Sequence, residues 1–168
     1  PNGAPPHRPS SRRSGGVDEL FHLGPSPPTS VVESVLDRDF GHLGANPRTS
    51  TRLLSRLARA RRSDIALATL QWLGKACHEA NVFHYGATIS ACVKGGEWEM
   101  SLALLGMMAQ SEVERSTVTY NAAISACEKG CEWRRALALL GAMGQGSVEL
   151  DTISYSSAIS ACEKSGEW

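Results

Sequence analysis

The sequence predicts an all-α fold, an α-solenoid of stacked 35-residue helical hairpins, and three observations carry that reading. First, a fixed spacing runs through the chain: Tyr85, Tyr120 and Tyr155 are 35 apart, as are Cys92, Cys127 and Cys162, and Trp98, Trp133 and Trp168. Second, each period holds two short apolar runs with the i, i+3, i+4, i+7 spacing of one helix face. Third, runs this short make helices that are marginal alone in water, so they must bury their faces on one another. A repeat of 20 to 50 residues with that property is the mark of a solenoid.

Taken in order, residues 1–46 hold seven of the eight Pro, with the run PSPP at 25–28, and read as a linker or disordered lead-in. Within them the apolar patch at 31–40 fits one helix after a Ser30 cap. Residues 47–81 form a diverged first repeat: Leu54, Leu57, Leu67 and Leu70 occupy the slots of Ile89, Cys92, Leu102 and Leu105, while Ser50 stands in the slot of Tyr85. Residues 82–116 and 117–151 are full repeats, and 152–168 a truncated one. In the clearest unit Tyr120, Ala123, Ile124 and Cys127 make the packed face of a first helix that Gly130 ends. Trp133, Ala136, Leu137, Leu140 and Met143 make a second, closed by Gly144 and Gly146. With no initiator Met, and with Trp168 in mid-pattern, the sequence reads as a segment of a longer polypeptide.

Composition excludes several classes. The chain has 168 residues with 17 basic and 17 acidic side chains, so neither a strongly basic nor a strongly acidic protein fits. The halves differ: residues 1–62 carry 10 basic and 5 acidic groups and residues 63–168 carry 7 and 12. A polyanion meets the first part more readily. Charge-free runs such as residues 136–148 fall well short of the roughly 20 apolar residues of a membrane span.

The face of the first helix opposite the packed one repeats as well. In the clearest unit it holds Val118, Asn121, Ala122, Ser125 and Lys129; in the next, Ile153, Ser156, Ser157, Ser160 and Lys164; in the preceding one, Phe83, Gly86, Ala87, Ser90 and Lys94. The diverged unit has Arg48, Thr51, Arg52, Ser55 and Arg59 there. An apolar residue, small or polar ones and then a cation suit a single-stranded nucleic acid, whose bases stack and whose phosphates need Lys or Arg. A solvated helix face fits them equally well, since Lys is favoured at helix ends by the macrodipole. The run Arg48, Arg52, Arg56, Arg59, Arg61 and Arg62, with no acid between residues 41 and 63, favours an electrostatic entry for an RNA backbone over a solvated cap.

The unit TYNAAISACEKG followed by EWRRALALLGAM, with Asp151 just before the next unit, resembles the pentatricopeptide repeat, and the resemblance covers residues 47–168. It implies a right-handed superhelix that binds single-stranded RNA in chloroplasts or mitochondria and acts in organelle RNA processing or expression, without catalysis or a cofactor of its own. One base is read per repeat, by the residue after the helix-opening aromatic and the last residue of the repeat. Carried over, Asn121 with Asp151 resembles a uridine reader and Thr51 with Asn81 an adenine reader. Gly86 with Ser116 matches no common pair, and Ser156 has no partner within the sequence. The resemblance makes Phe83, Val118 and Ile153 the base-sandwiching residues, and Arg59, Lys94, Lys129 and Lys164 the cations facing phosphate. A protein–protein interaction scaffold of the same architecture is the alternative.

Other chemistry finds little support. Equivalent Cys of stacked repeats stand farther apart than a disulfide spans and read as small packing residues. Cys127 with Cys131, and Cys77 with His78 and His84, lack the paired Cys-x-x-Cys spacing of structural zinc sites. His7, His22, His42, His78 and His84 suggest no nucleophile and base pair, and Gly-rich phosphate loops are missing. The three Trp each follow an acid at the start of a second helix and read as packing between repeats. Residues 1–17, with Arg8, Arg12, Arg13 and no acid, weakly resemble a transit peptide.

Overall fold

The computed structural model describes residues 16–41, 47–75 and 80–166, and these form nine helices without a strand. The segment 1–15 and Arg8, Arg12 and Arg13 within it, His42, Cys77, His78 and Trp168 lie outside the described residues. The helices are α1 (Gly16–His22), α2 (Thr29–Phe40), α3 (Pro47–Arg59), α4 (Ser63–Lys75), α5 (Val82–Gly95), α6 (Trp98–Gln110), α7 (Thr117–Lys129), α8 (Trp133–Gln145) and α9 (Thr152–Ser165). None among the described residues is long and apolar enough to cross a membrane. From α3 onward they pair as hairpins, α3 with α4, α5 with α6 and α7 with α8. The first helices pack side by side in the order α3, α5, α7, α9, and each second helix also packs on the first helix of the next unit. This is an α-solenoid.

The packed face falls where the sequence places it: Tyr120 is 2% exposed and Ala123, Ile124 and Cys127 are wholly buried, with Gly130 capping α7. Burying an Ile side chain contributes about 1.5–3 kcal/mol, a gain that an isolated 13-residue helix lacks. The second-helix run is mixed, since Ala136 and Met143 are buried but Leu137 is 42% exposed. In α9 the same first-helix slots stand open, Tyr155 at 50% and Ile159 at 64%. A second helix packs on α5 and on α7 from within its own hairpin, and none does so on α9 among the described residues. Burial pushes the Cys92 thiol up to about 12 and the Cys127 thiol to about 11, so both act as inert packing groups.

Residues 16–41, within the expected linker, form two helices instead. The expected helix at 31–40 is present, but it begins at Thr29 behind Pro28, so Ser30 lies inside it rather than capping it. Leu20, Val32, Val35, Leu36 and Phe40 are buried and join the core of α3 and α4. α2 lies one period upstream of α4, with Val32 and Val35 in the slots of Leu67 and Leu70. It packs on α4 rather than on α3, so it behaves as an atypical terminal unit. Polar contacts fasten it: Trp72 Nε1 donates to Asp37 Oδ1 (2.6 Å), Lys75 pairs with Glu33, and Arg62 donates to the carbonyls of Leu23 and Gly24.

The turn inside each hairpin also repeats. Arg61, Gly96, Cys131 and Gly166 are one period apart, and all have positive φ (58°, 85°, 56° and 71°). Only Gly adopts that region without a Cβ penalty. One residue earlier, a Cβ on Gly130 would lie 2.4 Å from Trp98 Cδ1, so this Gly lets the ring close on the end of α7. Arg135 covers the Trp98 ring at 4.9 Å, which accounts for Trp98 as an inter-repeat packing residue. Two substitutions at adjacent positions therefore act in opposite directions. Cys131→Gly raises the urea unfolding free energy by about 0.5–1 kcal/mol, whereas Gly130→Ala lowers it by about 1–3 kcal/mol through overpacking. Equal effects from both would contradict the turn geometry.

Candidate nucleic-acid interface

The second residues of α5, α7 and α9 are apolar and yet turned to solvent: Phe83 is 69% exposed, Val118 72% and Ile153 60%. One stands in each of three helices packed side by side, so they make a row. Next to each lies a helix cap. Asn81 caps α5, Ser116 caps α7 and Asp151 caps α9, all with extended backbone and a reciprocal bond from the third residue of the helix. Capping of this kind satisfies amide donors that the helix cannot pair internally. The last residue of each repeat thus begins the next helix, and its side chain is fixed before any ligand arrives.

At the junction of α7 and α9 the expected pair meets. Asn121 Nδ2 donates to both Asp151 oxygens, at 3.0 Å and 3.1 Å. The Ser154 backbone N–H donates to Asp151 Oδ1 (2.8 Å), and the Ser154 hydroxyl lies 2.6 Å from Asn121 Oδ1 and 2.8 Å from Asp151 Oδ1. The Ser154 backbone N–H, then the Asn121 amide and the Ser154 hydroxyl, hold the Asp151 carboxyl below its ordinary value. Ser156 stands exposed one turn on, its hydroxyl donating to the Ile153 carbonyl.

At the junction of α3 and α5, Thr51 and Asn81 line a shared open hollow of about 440 Å³ with Pro47, Arg48, Arg52 and Phe83. The Thr51 hydroxyl donates to the Pro47 carbonyl (2.8 Å), and His84 Nε2 lies 3.2 Å from the same oxygen. Arg48 is a residue to which sequence reasoning gave no separate role in base contact. It occupies the slot of Phe83 one period earlier, and the pair faces one hollow; the 35-residue spacing carried that signal. Between these two sites, Gly86 and Ser116 leave a gap, where a Cβ on Gly86 would meet only the Thr119 methyl at 3.8 Å.

The cations divide. Arg59 and Lys94 are exposed with no side-chain partner among the described residues, whereas Lys129 donates to the Val93 carbonyl (3.2 Å) and Lys164 pairs with Glu128 (2.8 Å). The arginine run is not a free electrostatic entry as a whole. Arg56 pairs with Asp18 and covers the Phe21 ring, and Arg62 clamps the 23–24 loop, because the α1–α2 unit packs beside them, while Arg61 donates to the Lys94 carbonyl of α5.

The PPR repeat family model matches residues 83–113 and 118–147. Those two segments are PPR repeats. No curated protein matches the chain. The matched repeats span α5 to α8, so the row of Phe83 and Val118, the Gly86 gap and Asn121 all sit inside them, while Asp151 and Ile153 lie just beyond.

His84 ties the α3–α5 site to pH. It is 2% exposed, its Nδ1 accepts the Asn81 N–H (3.2 Å), and its Nε2 therefore carries the proton offered to Pro47. Burial pushes its pKa below the ordinary value, against the Pro47 bond, which raises it. With the folded pKa depressed, this neutral His contributes its full stability above about pH 6.5 and loses it as pH falls toward the folded value. His84→Thr, which copies the slot in α7, removes that part of the acid destabilisation. An unchanged pH dependence of the urea midpoint between His84→Thr and wild type would contradict the assignment.

Proposed function

We propose that the chain binds single-stranded RNA along α3, α5, α7 and α9 and acts in organelle RNA processing or expression, in a chloroplast or mitochondrion. The reading extends the repeat array beyond the matched segments to residues 47–168, with the α1–α2 unit packed on its first hairpin. What carries it is the exposed row Phe83, Val118 and Ile153, set beside caps that present Asn81, Ser116 and Asp151. Apolar residues held in water at this regular interval suit bases that slot between them, at about 1–3 kcal/mol per stacked base. PPR repeats are generally RNA-binding, which supports the reading.

The chemistry of each pair supports a choice of base. One Asn121 N–H is held by the Asp151 carboxylate and the other remains to be given, while Asp151 offers a charged acceptor. Uridine presents carbonyl acceptors on either side of an N–H donor, and cytidine presents a lone pair where uridine has that N–H. A carboxylate attracts the first and repels the second. At the α3–α5 hollow the Arg48 guanidinium and the Phe83 ring suit the two faces of a base. No residue is assigned a catalytic role and no cofactor is required.

A protein-interaction scaffold is the second reading, favoured by the engagement of Lys129 and Lys164 within the fold. Anisotropy titrations of the full chain with labelled oligo-U, oligo-A and oligo-C at two salt concentrations separate the two. RNA binding weakens with salt, prefers U or A to C, and falls when Lys94, Lys129 and Lys164 are changed together to Ala; indifference to salt and to those lysines moves the assignment to the scaffold. The gap gives a second test: Gly86→Asn with Ser116→Asp rebuilds the Asn121/Asp151 pair one repeat earlier and raises oligo-U affinity. An unchanged affinity would contradict the pair's role.

A further inference from the structure

Ser154 does more than cap its helix. It is wholly buried, and its hydroxyl reaches across the repeat boundary to the Asn121 side chain, 2.6 Å from Oδ1, while also lying 2.8 Å from Asp151 Oδ1. The hydroxyl has one proton, shared between the Asn121 carbonyl and the Asp151 carboxylate. With that oxygen occupied and Nδ2 on the carboxylate, the Asn121 amide has one favourable orientation; turned over, its carbonyl would face a carboxylate and its NH2 a hydroxyl. The neighbouring units supply a comparison. In the same slot the His84 ring accepts the Asn81 backbone N–H and reaches the Pro47 carbonyl to which the Thr51 hydroxyl also donates, so there the third residue meets the earlier helix through a backbone carbonyl rather than through a groove side chain. The side chain of Thr119, which faces Gly86, bonds to Ser116 alone among the described residues.

We propose that Ser154 is a positioning residue for base selection: by fixing the Asn121 amide it keeps an N–H donor, and not a carbonyl, turned toward the base. The proposal rests on the RNA-binding reading above. Without the Ser154 bond the amide is held by Asp151 alone, and its carbonyl turns outward more often to accept the amino group of cytidine, so Ser154 sharpens the discrimination between uridine and cytidine that the carboxylate sets.

The test is run on the full chain with Ser154→Ala and Ser154→Thr, measuring affinity for oligo-U, oligo-C and oligo-A together with the NMR signals of the Asn121 side-chain amide in the free protein. The expected result is that Ser154→Ala moves those amide signals and lowers the U-over-C preference roughly tenfold with oligo-A affinity unchanged, and that Ser154→Thr restores both. A uniform loss for all three RNAs would mark Ser154 as structural only and overturn the proposal. So would a full U preference in Ser154→Ala. A wild-type chain that binds none of the RNAs overturns the RNA reading and the selection role with it; the amide shift on Ser154→Ala would then show the lock itself to be real, which separates that failure from a failure of the lock.

Discussion

Side-by-side packing of α3, α5, α7 and α9 is the constraint on which the rest depends. Each helix is too short to persist alone, and each gains its stability by burying one face on the helices of its own and neighbouring hairpins. Tyr85, Ile89 and Cys92 in α5, and Tyr120, Ile124 and Cys127 in α7, are nearly or wholly buried for that reason. Because the packed face is the same in successive units, the opposite face is repeated too, and whatever it carries appears at a fixed interval. A row of equivalent side chains is a consequence of stacking before it is a feature of binding.

The hairpin joints place a second demand on the same residues. A helix that starts at a tight turn needs a capping side chain, and Asn81, Ser116 and Asp151 supply it. These are also the residues at the edge of the exposed row. Their identities are therefore limited to side chains that cap well, and any base preference has to be written in Asn, Asp, Ser or Thr. Stability and selectivity share atoms here: the oxygen of Asp151 that caps α9 is one of the two that hold Asn121.

Much of this was legible in the sequence because stacking leaves a period. The 35-residue spacing located α3 to α9, the helical spacing identified Tyr120, Ala123, Ile124 and Cys127 as the packed face, and the opposite face named Phe83, Val118 and Ile153. The apolar patch at 31–40 announced α2, but its Pro-rich surroundings mask the Val32 and Val35 match to Leu67 and Leu70 that places it in the array, and α1 was missed because it lacks the repeated apolar face altogether. The arginine run misled for a related reason. Arg56 and Arg62 are held by Asp18, by backbone carbonyls and by the Phe21 ring of α1, the helix that was not foreseen. The Ser154 contact left no periodic trace, since His, Thr and Ser share that slot and only one of them reaches Asn121.

The most direct test of RNA seated on the exposed row is methyl NMR of the full chain, following Val118 and Ile153 as unlabelled oligo-U is added. Bases inserted between these side chains shift both methyl groups through their ring currents while buried methyls such as Ile124 stay in place. Binding that leaves Val118 and Ile153 unmoved would place RNA elsewhere on the surface and contradict the role of the row.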